Sequence, residues 1–177
     1  MAAARLFGSI IAVGIGALAI GTQLGAAQVE DARIAFPAGY ETAFTNYLSL
    51  DRVQNPDQII RLFANDIALE GREEDGAFAD GSILVGEIYA AQKDADGNVI
   101  ESTLGHRIAG NFAAIAVMEK RAGWGESFPD TLRNGDWDFA IFSPEGERLD
   151  RDLDACRACH APLTDMDHVF SFEHLGG

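Results

Sequence analysis

Both cysteines of this chain fall within five residues, Cys156-Arg157-Ala158-Cys159-His160, which read C-x-x-C-H, the spacing of a c-type haem attachment site. On a helix, positions i, i+3 and i+4 share one face, so the two thiols and the imidazole address a single group. Two sulfurs then reach the two vinyl groups of one porphyrin edge, and His160 reaches the iron as its proximal ligand. The motif sets the expected cofactor, one covalently attached haem c with its iron, and leaves function to the remaining axial side.

Three other readings of the motif are weaker. A thioredoxin-type C-x-x-C precedes a long helix and several strands, whereas only 17 residues follow His160. A zinc site recruiting His168 or His174 lacks the two separated ligand pairs usual for structural zinc. A simple disulfide leaves His160 unexplained.

The N-terminus supports haem c. Arg5 precedes an apolar run from Leu6 to Ile20 and the small residues Gly25-Ala26-Ala27, the pattern of a secretory signal peptide spanning residues 1–27. The run is shorter than the roughly 20 residues that cross a bilayer, so a retained anchor is the lesser reading. Export places the mature chain, 28–177, in a periplasm, where haem is joined to reduced thiols. What remains is long enough for one domain with a core and too short for two.

The formal net charge is −15, and removing residues 1–27, which carry Arg5 and no acid, makes it −16. Such a surface repels nucleic acid and anionic membrane, and favours a redox partner with a basic surface. Solubility alone accounts for the charge equally well.

Hydrophobic periodicity along the chain is mostly two, the mark of half-buried strands. In Asp136–Ser143, Trp137, Phe139 and Ile141 alternate with Asp136, Asp138 and Ala140, after an Asn134-Gly135 turn and before Pro144-Glu145-Gly146. Ile83–Ala91 places Leu84, Gly86 and Ile88 on one face and Val85, Glu87 and Tyr89 on the other. Asp94-Ala95-Asp96-Gly97 then turns the chain. It resembles the start of a calcium loop, but Gly105 stands at the twelfth position where glutamate is needed, so a hairpin turn is expected. Phe112–Glu119 is a third strand, and Ile59–Ala64 reads as a fourth, with a helix starting near Asn65. Asp150–Ala161 carries an Asp cap candidate and no Gly or Pro before Pro162, so the haem motif rides a short helix. The expected fold is mainly β, an antiparallel sheet with a few short helices, and excludes the four-helix bundle of one common class of haem c protein.

Several stretches carry a family resemblance: Gln58–Asn65 (QIIRLFAN), Gly81–Tyr89 (GSILVGEIY), Val117–Lys120 (VMEK), Gly123-Trp124-Gly125, Arg133–Phe139 (RNGDWDF), the C-x-x-C-H motif and Asp167-His168-Val169-Phe170. Between about Tyr40 and Leu175 the chain resembles the cytochrome P-460 family, which includes the β-sheet cytochromes c′ (cytochrome c′-β). The resemblance implies a β-rich, usually dimeric periplasmic monohaem protein with five-coordinate iron. It also implies a division on one residue. In cytochrome P-460 proper, a lysine on the strand after the Asp-Gly turn is cross-linked to the porphyrin, and the enzyme oxidises hydroxylamine. Aligning Asp80-Gly81 with that turn puts Gly86 at that place, where no link can form. Lys93 lies at the hairpin end and Lys120 on another strand, so neither is a good substitute.

Gly86 itself has two readings, a space left at the haem or a bulge with no bearing on chemistry. Arg61 lies between Ile59 and Phe63 on one strand face. The family implies a haem-pocket arginine there, able to meet a propionate or a bound ligand, whereas the plain alternative is a salt bridge.

No methionine lies far enough downstream of the motif to fold over the haem: Met166 is six residues from His160, and none follows it. Met118 reads as core packing with Phe112, Ala114 and Ala116, His106 as surface, and capping by His168 or His174 as a minor alternative. The expectation is an open sixth position under an apolar roof, with Phe63 and Phe78 as roof candidates. The corresponding function is binding of a small gaseous ligand such as nitric oxide. The alternatives are an oxidoreductase acting on hydroxylamine or peroxide, with Glu87 or Glu119 as proton acceptor, and a simple electron-transfer cytochrome.

Overall fold

A computed structural model describes residues 33–73 and 76–175, so the anticipated signal segment lies outside the described residues. Five strands form one antiparallel meander in chain order: β1 (Thr45–Asp51), β2 (Gln58–Ala64), β3 (Ile83–Ala91), β4 (Ala109–Lys120) and β5 (Trp137–Phe142). Among the described residues, three short α-helices accompany them, α1 (Tyr40–Ala43), α2 (Asp66–Glu70) and α3 (Asp154–His160). The architecture is mainly β, as expected from the period-two pattern. Among the described residues, no helix is long and apolar enough to cross a membrane.

Strands β2 to β5 lie where the sequence placed them. β1 was not foreseen. Its apolar Leu48 and Leu50 alternate with Ser49 and Asp51, but a register shift between Asn46 and Leu48 breaks the pattern within the strand. α2 is capped by Asn65, whose side-chain oxygen accepts from the Ala68 N–H at 3.0 Å and also from the Ile83 N–H at 3.0 Å, tying the helix start to β3. α3 is shorter than the expected 150–161. The carboxylate near its start belongs to Asp152, which accepts from the Asp154 N–H at 3.0 Å. Asp94-Ala95-Asp96-Gly97 is a plain turn, with the Asp94 carboxylate accepting from the Asp96 and Asn98 N–H groups, both at 2.9 Å.

Cross-strand register sorts the side chains into two faces. One row, Phe63, Val85, Val117 and Ala140, joins Ile34, Tyr40, Ile115 and Phe142 in a closed apolar core. The neighbouring row, Leu48, Leu62, Gly86, Ala116 and Ile141, points to the other face. β5 departs from half-burial, because Asp138 and Ala140 are both fully buried. Ala140 sits in the core, and Asp138 is enclosed by two arginines. A second cluster, with Phe78 edge-on to Trp137 at 5.5 Å, packs Val169 and Leu175 against the sheet.

Candidate functional site

The second face of the sheet, α3 and the segment 169–174 enclose a cavity of about 590 Å³, well within the size range of small-molecule and cofactor sites. Its sheet wall includes Leu48, Ile60, Leu62, Gly86, Ala116 and Met118. Gly86 and Ala116 are cross-strand partners between the bulkier Leu62 and Ile141, so the middle of that row is a trough. A methyl group added at Gly86 would lie 3.0 Å from Ile60 Cδ1 and 3.4 Å from Leu62 Cδ2. The glycine therefore sits on the cavity face, with the ends of two side chains already folded toward it.

α3 brings Cys156, Cys159 and His160 to this cavity together, and both thiols are free. Burial pushes the Cys156 thiol above its ordinary value and keeps it protonated near neutral pH. His160 is held more tightly. Its Nδ1 lies 2.8 Å from the carbonyl oxygen of His168. A carbonyl only accepts, so the proton resides on Nδ1 and Nε2 keeps its lone pair. The ring is wedged edge-on between Phe139 at 5.0 Å and Phe170 at 4.9 Å. Burial lowers its pKa, which favours the neutral, ligating form.

Arg157, inside the motif, points away from the cavity. Its guanidinium is 2.9 Å from Asp138 and 3.0 Å from Asp154, and it lies over the Phe128 ring. Asn134 donates to the Arg157 carbonyl at 3.2 Å. These contacts clamp the back of the helix to β5 and leave the thiol face toward the cavity.

Several expected pocket residues lie elsewhere. Arg61 is on the opposite face, 3.1 Å from Glu87, and does not line the cavity. Period-two alternation requires this, because its neighbours Ile60 and Leu62 take the cavity side. Phe63 and Phe78 are buried in the two core clusters, so the aromatic rings in the cavity lining are instead Tyr47, Phe139 and Phe170. Glu87 is buried under the sheet and accepts from Tyr40 at 2.9 Å and Tyr89 at 3.0 Å, while Glu119 pairs with Arg121 at 2.8 Å. Lys93 pairs with Asp57, and Lys120 with Asp167. His106 is an exposed side chain 3.6 Å from Asp51. Met118 packs against the second core cluster, in keeping with a core reading, and also lines the cavity beside its cross-strand partner Phe139. Phe112 leaves that face because a register shift separates it from Ala114, and it stacks on Tyr89 instead.

One contributor had no signal in the sequence. Arg52, directly after β1, lines the cavity, held by Gln58 Oε1 at 2.6 Å, and its charge acts on both Cys156 and His160. A lone arginine in a turn gives no pattern from which this could be read.

The family model for cytochrome P460 matches residues 37–171, a span containing the cavity strands, α3 and His168. The chain belongs to the cytochrome P460 family. No curated protein matches it. Membership makes this P460-family chain a haem-binding cytochrome, and its cavity fits that group. The lining brings together a large apolar space, two free thiols, a neutral imidazole with its proton fixed on Nδ1, and the Arg52 guanidinium, a cation of the kind that would pair with a porphyrin carboxylate.

Proposed function

We propose that the protein is a periplasmic c-type cytochrome that takes up a small neutral gas, nitric oxide foremost, at five-coordinate iron. Cys156 and Cys159 would hold one haem through thioethers, and His160 would ligate its iron through Nε2. Bound there, the haem supplies a vacant coordination site for the gas.

The observation that carries this reading is the chemistry of the cavity wall. Among the described residues lining it there is no lysine, aspartate or glutamate. A lysine for a porphyrin cross-link is therefore missing, and so is a carboxylate to move a proton during hydroxylamine or peroxide turnover. Glu87 and Glu119 have other partners. Met118 is the cross-strand neighbour of Phe139, the ring that His160 packs against, so it belongs to His160's side of the cavity and is poorly placed to bind iron from the far side. The aliphatic part of the sheet wall, Leu48, Ile60, Leu62 and Ala116, carries no side-chain donor for a polarised ligand, which favours nitric oxide over dioxygen on that side of the cavity.

A homodimer and a redox partner with a basic surface belong to the same proposal. The deciding experiment is optical and resonance Raman spectroscopy of the exported holoprotein. It should show an ordinary haem c band, five-coordinate ferrous iron and rapid binding of carbon monoxide and nitric oxide. A strongly red-shifted band, or six-coordinate iron inert to carbon monoxide, would refute it.

A further inference from the structure

Asp167 and His168 are the non-glycine residues with left-handed backbones among those described, at φ 44° and 61°. Two such residues in succession are unfavourable and persist where the surroundings over-determine them. Here the surroundings converge on one oxygen. Asp167 Oδ2 accepts from the Phe78 N–H at 2.9 Å, from Lys120 Nζ at 2.8 Å and from Trp137 Nε1 at 3.2 Å. Those donors come from the loop before β3, the end of β4 and the start of β5. The carboxylate thus ties the turn to three separate parts of the sheet layer. The turn in turn presents the carbonyl of His168 to His160 Nδ1 at 2.8 Å, while His168 Nδ1 lies 3.3 Å from the His160 carbonyl. Gly135 lies against the His168 ring, where a methyl group would meet Cδ2 at an ordinary contact distance of 3.4 Å, and its φ of 55° is what favours glycine there.

We infer that Asp167 is a positioning residue for the iron ligand: it holds the left-handed Asp167–His168 turn in place, and through the His168 carbonyl it fixes the direction and the electron-donating strength of the His160 imidazole. The inference rests on the reading of His160 as the proximal ligand. A carbonyl accepting from the non-ligating nitrogen makes the ligating one more basic, so the iron–histidine bond is strong only while the turn holds. Lys120, which the sequence left without a role, serves this carboxylate.

The test compares holoprotein carrying Asp167→Ala, Asp167→Asn and Lys120→Met with the parent by resonance Raman of the ferrous form, midpoint potential and amide hydrogen exchange. In Asp167→Ala the iron–histidine stretch should move to lower frequency, the potential should rise, and exchange across residues 166–170 should quicken at least tenfold. Asp167→Asn keeps acceptor oxygen for Phe78 and Trp137 and should recover most of the shift, and Lys120→Met should move the stretch less, in the same direction as Asp167→Ala. An unshifted stretch in Asp167→Ala, even with faster exchange, overturns the inference by reducing Asp167 to a purely structural role. Should that variant not fold, an unshifted stretch in Lys120→Met overturns it equally. Failure of the underlying reading looks different: the parent's stretch would survive His160→Gly.

Discussion

The guanidinium of Arg157 lies 2.9 Å from the carboxylate of Asp138, and both side chains are almost wholly shielded from water. This pair joins the haem-motif helix to β5, with Arg33 approaching the same carboxylate at 3.1 Å. A residue that the C-x-x-C-H pattern leaves free is therefore fixed by the fold. Arg157→Ala strands a buried carboxylate and should cost about 3 kcal/mol, the low end for a broken buried pair because Arg33 remains. Urea denaturation of the parent and variant, at equal haem content, measures it.

Glu87 and Gly86 are chain neighbours on opposite faces of β3, and their variants should separate stability from ligand binding. Glu87→Ala leaves the Tyr40 and Tyr89 hydroxyls and Arg61 without their shared carboxylate and should destabilise the fold by about 2 kcal/mol, with an unchanged haem spectrum. Gly86→Ala places a methyl group 3.0 Å from the movable end of Ile60. Its overpacking should cost about 1 kcal/mol and be felt in the cavity, as slower carbon monoxide binding measured by flash photolysis.

Alkaline pH should unfold the protein early. Burial pushes the Tyr47 phenol from 10.0 up to about 12, and the Tyr40 and Tyr89 phenols are raised as well, with burial the largest cause in each. The unfolded chain gives up these protons first, so it binds fewer than the native state once the pH passes 10. Stability is then full below pH 10 and falls between 10 and 12, with Tyr47 alone contributing about 2 kcal/mol. Tyr47→Phe should flatten that part of a stability-versus-pH curve recorded by denaturant titration, at the cost of the 2.7 Å hydrogen bond to Ser171.

Local chemistry settled a good deal of this molecule in advance. Alternation in Ile83–Ala91 marked β3 to the residue, Asn65 announced the start of α2, and the spacing of Cys156, Cys159 and His160 put three groups on one helical face. These are properties of neighbours in sequence, which the backbone periods of 2 and 3.6 make legible. Alternation divides a strand into two faces, but it does not say which one meets a cavity. Arg61 and Phe63 went to the face away from the cavity, because cross-strand register and packing choose the face for a whole strand at once. The burial of Asp138, the place of Arg52 and the three-donor hold on Asp167 were likewise decided only by tertiary structure. Each depends on a partner distant in the chain, and the free energy that binds such partners exists only once the sheet has brought them within reach.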